Sequence, residues 1–89
     1  MTREQIVATL KGFLIRELFV ETPLDSIKLD AGLQSVLGVD SVGFLELRVL
    51  CERDFNLSIP DTDFNPANFQ SLDRLADLVQ RLRREQVGA

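Results

Sequence analysis

At 89 residues, with 45% hydrophobic and 27% charged side chains, the chain has the composition of one small globular domain, 1–89, and not of a disordered segment. A net charge of −4 argues against nucleic acid as a partner, and the absence of histidine removes the commonest neutral-pH general base and metal ligand. No apolar stretch nears the ~20 residues that span a bilayer, so no membrane association is expected. Met1-Thr2-Arg3-Glu4-Gln5 lacks the apolar segment of a secretory leader, and the single cysteine, Cys51, suits a reducing compartment, so a cytoplasmic location is expected.

Thr2-Arg3-Glu4-Gln5 reads as a capping box ahead of a periodic run. Ile6, Leu10, Leu14 and Leu18, widened by Val7 and Phe13, place a core-facing stripe on a first helix that ends near Phe19-Val20, short of Pro23. Residues 21–39 form a long first loop. Pro23, Asp25, Ser26, Asp30, Gly32 and Gly38 break any helix there, while Leu24, Ile27, Leu29, Leu33, Val36 and Leu37 pin the loop to the core. One helical turn is expected at 33–36.

A second helix runs from about Ser41 to Phe55. Phe44, Leu47, Cys51 and Phe55 share one face, which is assigned to the core. Val42, Leu45 and Val49 form a second apolar stripe, bordered by Glu46, Glu52 and Arg53. Unless neighbouring helices bury both stripes, the second is a docking surface. Asn56 suits a left-handed stop. Asn65-Pro66 predicts a short third helix near 66–69, because an N-cap residue precedes proline at the first helical position. Ser71 caps a last helix whose stripe is Leu72, Leu75, Ala76, Leu78, Val79 and Leu82, with Arg81, Arg83 and Arg84 complementing its dipole. Val87-Gly88-Ala89 is expected to fray. The class is all-α: a small, monomeric four-helix bundle of three main helices and one short one, with Ile6, Leu10, Leu14, Phe44, Leu47, Cys51, Phe55, Leu75 and Leu78 in one core.

Catalytic motifs are missing. Without histidine there is no Ser-His pair, and one cysteine cannot make an ordinary zinc site. No Gly-rich phosphate loop or EF-hand spacing appears. Asp40, Asp61 and Asp63 read as solvated loop acids, not metal ligands, and Cys51 as a small buried hydrophobe. The chain is expected not to be an enzyme. Charge is uneven, however. Residues 21–63 hold nine acids against Lys28, Arg48 and Arg53, so negative potential gathers around Ser41 and suits basic partner surfaces. Ser41, in Gly38-Val39-Asp40-Ser41-Val42, is either a plain N-cap or a modification site, since a helix N-terminus stabilises an attached phosphate.

The combination of Gly38-Val39-Asp40-Ser41-Val42 opening the second helix and Phe55-Asn56-Leu57-Ser58-Ile59-Pro60-Asp61 closing it resembles the acyl carrier proteins, over nearly the whole chain from Ile6 to Leu82. The resemblance implies a 4′-phosphopantetheine arm, derived from coenzyme A, attached to Ser41 through a phosphodiester, with Asp40 as the adjacent motif acid. The arm's thiol would carry acyl groups as thioesters. It also implies that Val42, Leu45, Glu46, Val49 and Glu52 read the partners: a phosphopantetheinyl transferase and the acyl-loading and acyl-processing enzymes of a pathway. Two features depart from the family's fatty-acid members, Gly43 in place of an acid and the arginines Arg48 and Arg53. They point towards polyketide or related specialised-metabolite synthesis. The alternatives are an aminoacyl or peptidyl carrier of a nonribosomal pathway, and an unmodified helical interaction module in which Ser41 is only a cap.

Overall fold

The computed structural model describes residues 1–87, the side chain of Val87 excepted. Of the terminal segment expected to fray, Val87 closes the last helix and Gly88 and Ala89 lie outside the described residues. Among the described residues the regular structure is all helical: α1 (Arg3–Gly12), α2 (Ser41–Phe55) and α3 (Leu72–Val87), with a 3-10 turn at Leu24–Ser26.

The capping box that starts α1 is made as the sequence predicts. The Gln5 amide donates to Thr2 Oγ1 at 3.1 Å, and the Thr2 amide donates to Gln5 Oε1 at 2.8 Å. Ile6, Leu10, Phe13 and Leu14 are buried. After Gly12 the helix widens into a π segment, Phe13–Glu17, where the Leu18 amide reaches back to the Phe13 carbonyl at 3.0 Å. Phe19 then stops it in a left-handed conformation, φ 56°, and the Val20 amide bonds the Leu14 carbonyl at 2.8 Å.

The long loop is pinned, as expected, but by fewer side chains. Ile27, Leu33 and Val39 are buried, whereas Leu24, Leu29 and Val36 stay exposed. Two backbone bonds tie the loop to the start of α3, from the Leu33 amide to the Gln70 carbonyl at 2.8 Å and from the Asp73 amide to the Leu29 carbonyl at 3.0 Å. The turn expected at 33–36 is present at 33–37.

On α2, Leu47, Cys51 and Phe55 lie in the core and Leu50 joins them, while Phe44 is only half-buried, against expectation. Asn56 ends the helix in the left-handed region, φ 53° and ψ 55°. The short helix expected at 66–69 is instead one capped turn. Asn65 Oδ1 accepts the Asn68 amide at 2.9 Å, and the Asn65 and Asn68 side-chain amides are drawn to the Thr62 and Asp63 carbonyls. Such local side-chain bonds compete with helix propagation, which is already costly for a single turn.

Ser71 caps α3, its Oγ accepting the Arg74 amide at 3.3 Å, and all six predicted stripe residues are buried. The arginines turn sideways more than they follow the dipole. Arg83 donates to the Phe55 carbonyl at 3.0 Å, closing the end of α2, and Arg81 pairs with Asp63 at 2.7 Å. Arg3 joins α1 to α3 through Asp77 and Gln80, both at 2.8 Å.

Candidate functional site

The start of α2 is built by a run of four residues. Gly38 takes φ 78°, a conformation L side chains rarely adopt, and turns the chain. Val39 is buried and anchors the turn, its amide bonding the Leu33 carbonyl at 2.9 Å. Asp40, with extended backbone, is the N-cap: its Oδ1 accepts the Gly43 amide at 2.8 Å. Ser41 is therefore the first helical residue and not the cap, which corrects the capping reading. Its side chain is exposed.

Gly43 has a packing reason. A Cβ there would lie 2.9 Å from Val39 Cγ1, 3.3 Å from Asp40 Oδ1 and 3.4 Å from Leu18 Cδ2. The crowding comes chiefly from Val39 in the turn that precedes α2, with the Asp40 carboxylate and Leu18 close by, so a side chain at this position would require Val39 to shift.

The second stripe is open, as the docking reading requires: Val42 is 71% exposed, Leu45 53% and Val49 60%. Glu46 beside it is exposed. Glu52 is otherwise engaged, its Oε2 accepting the Ile59 amide at 2.8 Å. Arg48, noted in the sequence as a departure from the fatty-acid members, is a clamp. It donates to the Ile59 carbonyl at 2.6 Å, pairs with Asp61 at 2.8 Å and stacks 4.9 Å over the Phe64 ring. Its partners lie eleven or more residues away, beyond any local periodicity. The Ile-Pro-Asp exit is thus bonded back to α2, and Phe64 and Phe44 each meet Phe69 edge-on. Between this aromatic group and Ser41 lies an open cleft of about 790 Å³, lined by Phe44, Leu45, Phe64, Pro66 and Phe69.

Cys51 is fully buried, and desolvation, with Asp54 and Glu52 adding to it, pushes its thiol pKa up to about 12. It is protonated and unreactive near neutrality.

A family model described as the phosphopantetheine attachment site matches residues 9–82. The chain belongs to that family. Its members carry covalently attached 4′-phosphopantetheine, and such carrier domains are generally non-catalytic. Solved carrier proteins share the fold. One from Agrobacterium tumefaciens, in complex with an engineered Bradyrhizobium japonicum glycine:[carrier protein] ligase and ATP, is 28% identical with a TM-score of 0.76, over 85% of this chain and 97% of that one. Two Bradyrhizobium japonicum ligase complexes contain similar carriers, each 26% identical with a TM-score of 0.64. One carrier is glycylated and matches 85% of this chain and 96% of its own; the other is the cognate carrier of a ligase also complexed with an analogue of glycyl adenylate, and matches 94% and 97%.

The residues at the start of α2 fit a phosphodiester-linked arm. The Ser41 and Val42 amides precede the first intrahelical bond, which the Phe44 amide makes to the Asp40 carbonyl at 2.9 Å, so they face the helix end where a phosphate is stabilised. Asp40 keeps its carboxylate turned to the Gly43 amide, and the cleft beside Ser41 leaves room for an extended arm. No helix of the described residues is long and apolar enough to cross a membrane.

Proposed function

We propose that residues 1–89 form a single carrier domain whose phosphopantetheine is attached at Ser41, and that it presents thioester-bound intermediates to biosynthetic enzymes. The observation that carries this reading is the placement of Ser41: an exposed hydroxyl at the first position of a 15-residue helix, held there by the Gly38 turn, the buried Val39 and the Asp40 cap. Bound phosphopantetheine supplies a terminal thiol able to hold a carboxylic acid as a thioester. The chain's own residues do the rest. Asp40 fixes the first turn, the free amides of Ser41 and Val42 meet the phosphate charge, and Val42, Leu45, Val49 and Glu46 offer partners an apolar stripe with an acidic edge. Glu52 borders the same stripe but is held by the Ile59 amide, so it contributes less to partner contact.

For the cargo, the resemblance to acyl carrier proteins supports acyl groups of polyketide or related specialised-metabolite synthesis. A second reading, an aminoacyl cargo, is favoured by a specific observation: the similar solved carriers stand in complexes of a glycine ligase. Gly43 sits where Val39 crowds any side chain, so its departure from the fatty-acid pattern has a packing reason beside the functional one.

Thiol titration tests attachment and cargo in sequence. Cys51 is buried, so the folded apo chain should show no fast-reacting thiol, and the chain treated with coenzyme A and a phosphopantetheinyl transferase should show one. Incubating that product with a glycine:[carrier protein] ligase, glycine and ATP should then block the new thiol if the cargo is aminoacyl. A thiol that stays free with amino acids but is blocked by an acyl-loading enzyme assigns the acyl reading. No new thiol after transferase treatment would contradict the carrier role.

A further inference from the structure

Phe19 joins two unfavourable features in one residue. Among the described residues only Phe19 and Asn56 are non-glycine residues with positive φ. Asparagine tolerates the left-handed region at a helix end, but a bulky aromatic does not. Phe19 is 78% exposed, the most exposed large apolar residue among the described residues. An exposed phenylalanine alone means little. One held in strained backbone, where glycine would serve, points to a use.

Its position suggests which. The turn is fixed by the Val20–Leu14 backbone bond and abuts the start of α2 through Leu18, which packs at Gly43. Phe19, Glu21, Val36, Asp40 and Gly43 border one cleft of about 430 Å³, on the α1 side of the α2 N-terminus. Val36, also exposed, lines the same cleft, so Phe19 and Val36 are exposed apolar side chains in an otherwise largely polar lining. None of these residues belongs to the α2 stripe.

We propose that Phe19, with Val36 beside it, is a docking anchor for the phosphopantetheinyl transferase; this rests on the assignment of the arm to Ser41. That enzyme makes its bond at the serine itself. The Ser41 Oγ–phosphorus bond forms, the pyrophosphate bond of coenzyme A breaks, adenosine 3′,5′-bisphosphate leaves, and the hydroxyl proton passes to the enzyme's base. The transferase must therefore cover the surface immediately around Ser41, whereas enzymes acting at the arm's far thiol can stand off. Coenzyme A is a polyanion, so the mouth of a site that binds it is basic and complements Glu21 and Asp40, the acids that border this cleft. Such charges set the rate of encounter, and a desolvated aromatic anchor supplies holding energy.

The test uses the apo chain and its Phe19→Gly variant with coenzyme A and a transferase, following mass gain, melting and sedimentation. Glycine suits the left-handed turn and little buried surface is lost, so Tm should stay within a few degrees. The KM for the carrier should rise about tenfold, as expected for truncating an aromatic anchor, with kcat little changed. Once each protein has been fully modified at high transferase concentration, the rate of its thiol with a small reagent should be the same. Equal KM values overturn the inference while leaving the Ser41 reading intact. A raised KM accompanied by a large fall in Tm assigns a structural role and also overturns it. A wild-type dimer that becomes monomeric in Phe19→Gly makes a second copy the occupant and does the same. A wild type that gains no mass contradicts the Ser41 reading itself.

Discussion

Asp40 and Ser41 are neighbours of the same capping type, and their division of labour is decided by the backbone around them. The extended Asp40 reaches the Gly43 amide, so Ser41 is released from structural duty. Asp40→Ala should then lower stability by about 0.5–2 kcal/mol. Ser41→Ala should change it by less than about 0.5 kcal/mol, as at other exposed positions. Denaturant melts of both variants check the pair, and equal losses would return Ser41 to the cap. Cys51 gives a pH signature. Its folded pKa of about 12 lies above the ordinary thiol value of 9.0, so the folded state holds the proton more tightly than the unfolded chain. Its contribution is therefore complete below pH 9 and is lost as pH rises from 9 towards 12, by about 1.4 kcal/mol per unit. Cys51→Ala should be less stable at neutrality and should lose less stability across that alkaline window than wild type. Melts at pH 8, 9.5 and 10.5 would show whether the slopes differ.

At the scale of elements, α2 carries the functional argument because its two apolar faces have different fates. Leu47, Leu50, Cys51 and Phe55 are buried, and Val42, Leu45 and Val49 are open. Val49→Asp should leave the melt nearly unchanged and weaken transfer by partner enzymes. Leu50→Asp should unfold the domain, since an unpaired buried charge is strongly penalised. If Val49→Asp unfolds it as well, the two-face description is wrong. Glu46→Lys should slow association with partners most at low salt, the effect fading as ionic strength rises. Glu52→Lys is expected to act differently, lowering stability through the lost bond to the Ile59 amide. These two faces were legible in the sequence because burial follows the helical period. So were the caps at Thr2, Asn56 and Ser71, which need only residues within one turn. What the sequence hid is non-local or competitive. The turn at 66–69 depends on Asn65 and Asn68 side chains outbidding the helix. The π segment ends at a phenylalanine with no glycine to announce it, and the clamp role of Arg48 depends on Ile59, Asp61 and Phe64 returning to it in space.

For the whole molecule, three helices and a pinned loop form a scaffold in which Ser41 stands at one edge, between two exposed apolar surfaces. The α2 stripe lies on one side, and Phe19 and Val36 on the other. Of the acids in residues 21–63, Glu21 and Asp40 border the cleft on one side of that edge, whereas Asp54, Asp61 and Asp63 are paired with Arg53, Arg48 and Arg81. Under the proposed carrier role, exposed acids would steer encounter and the apolar surfaces would give modest contact, as brief visits by several enzymes require. The other serines lack this setting. Ser26 and Ser35 lie in the loop, Ser58 follows α2 with its backbone held by Gln86, and Ser71 is the buried cap of α3. Intact-mass measurement of wild type and Ser41→Ala, each folded and treated with coenzyme A and a promiscuous transferase, tests the central claim most directly. Wild type should gain the mass of one phosphopantetheine and the variant none; equal labelling of both proteins would contradict the assignment of the arm to Ser41.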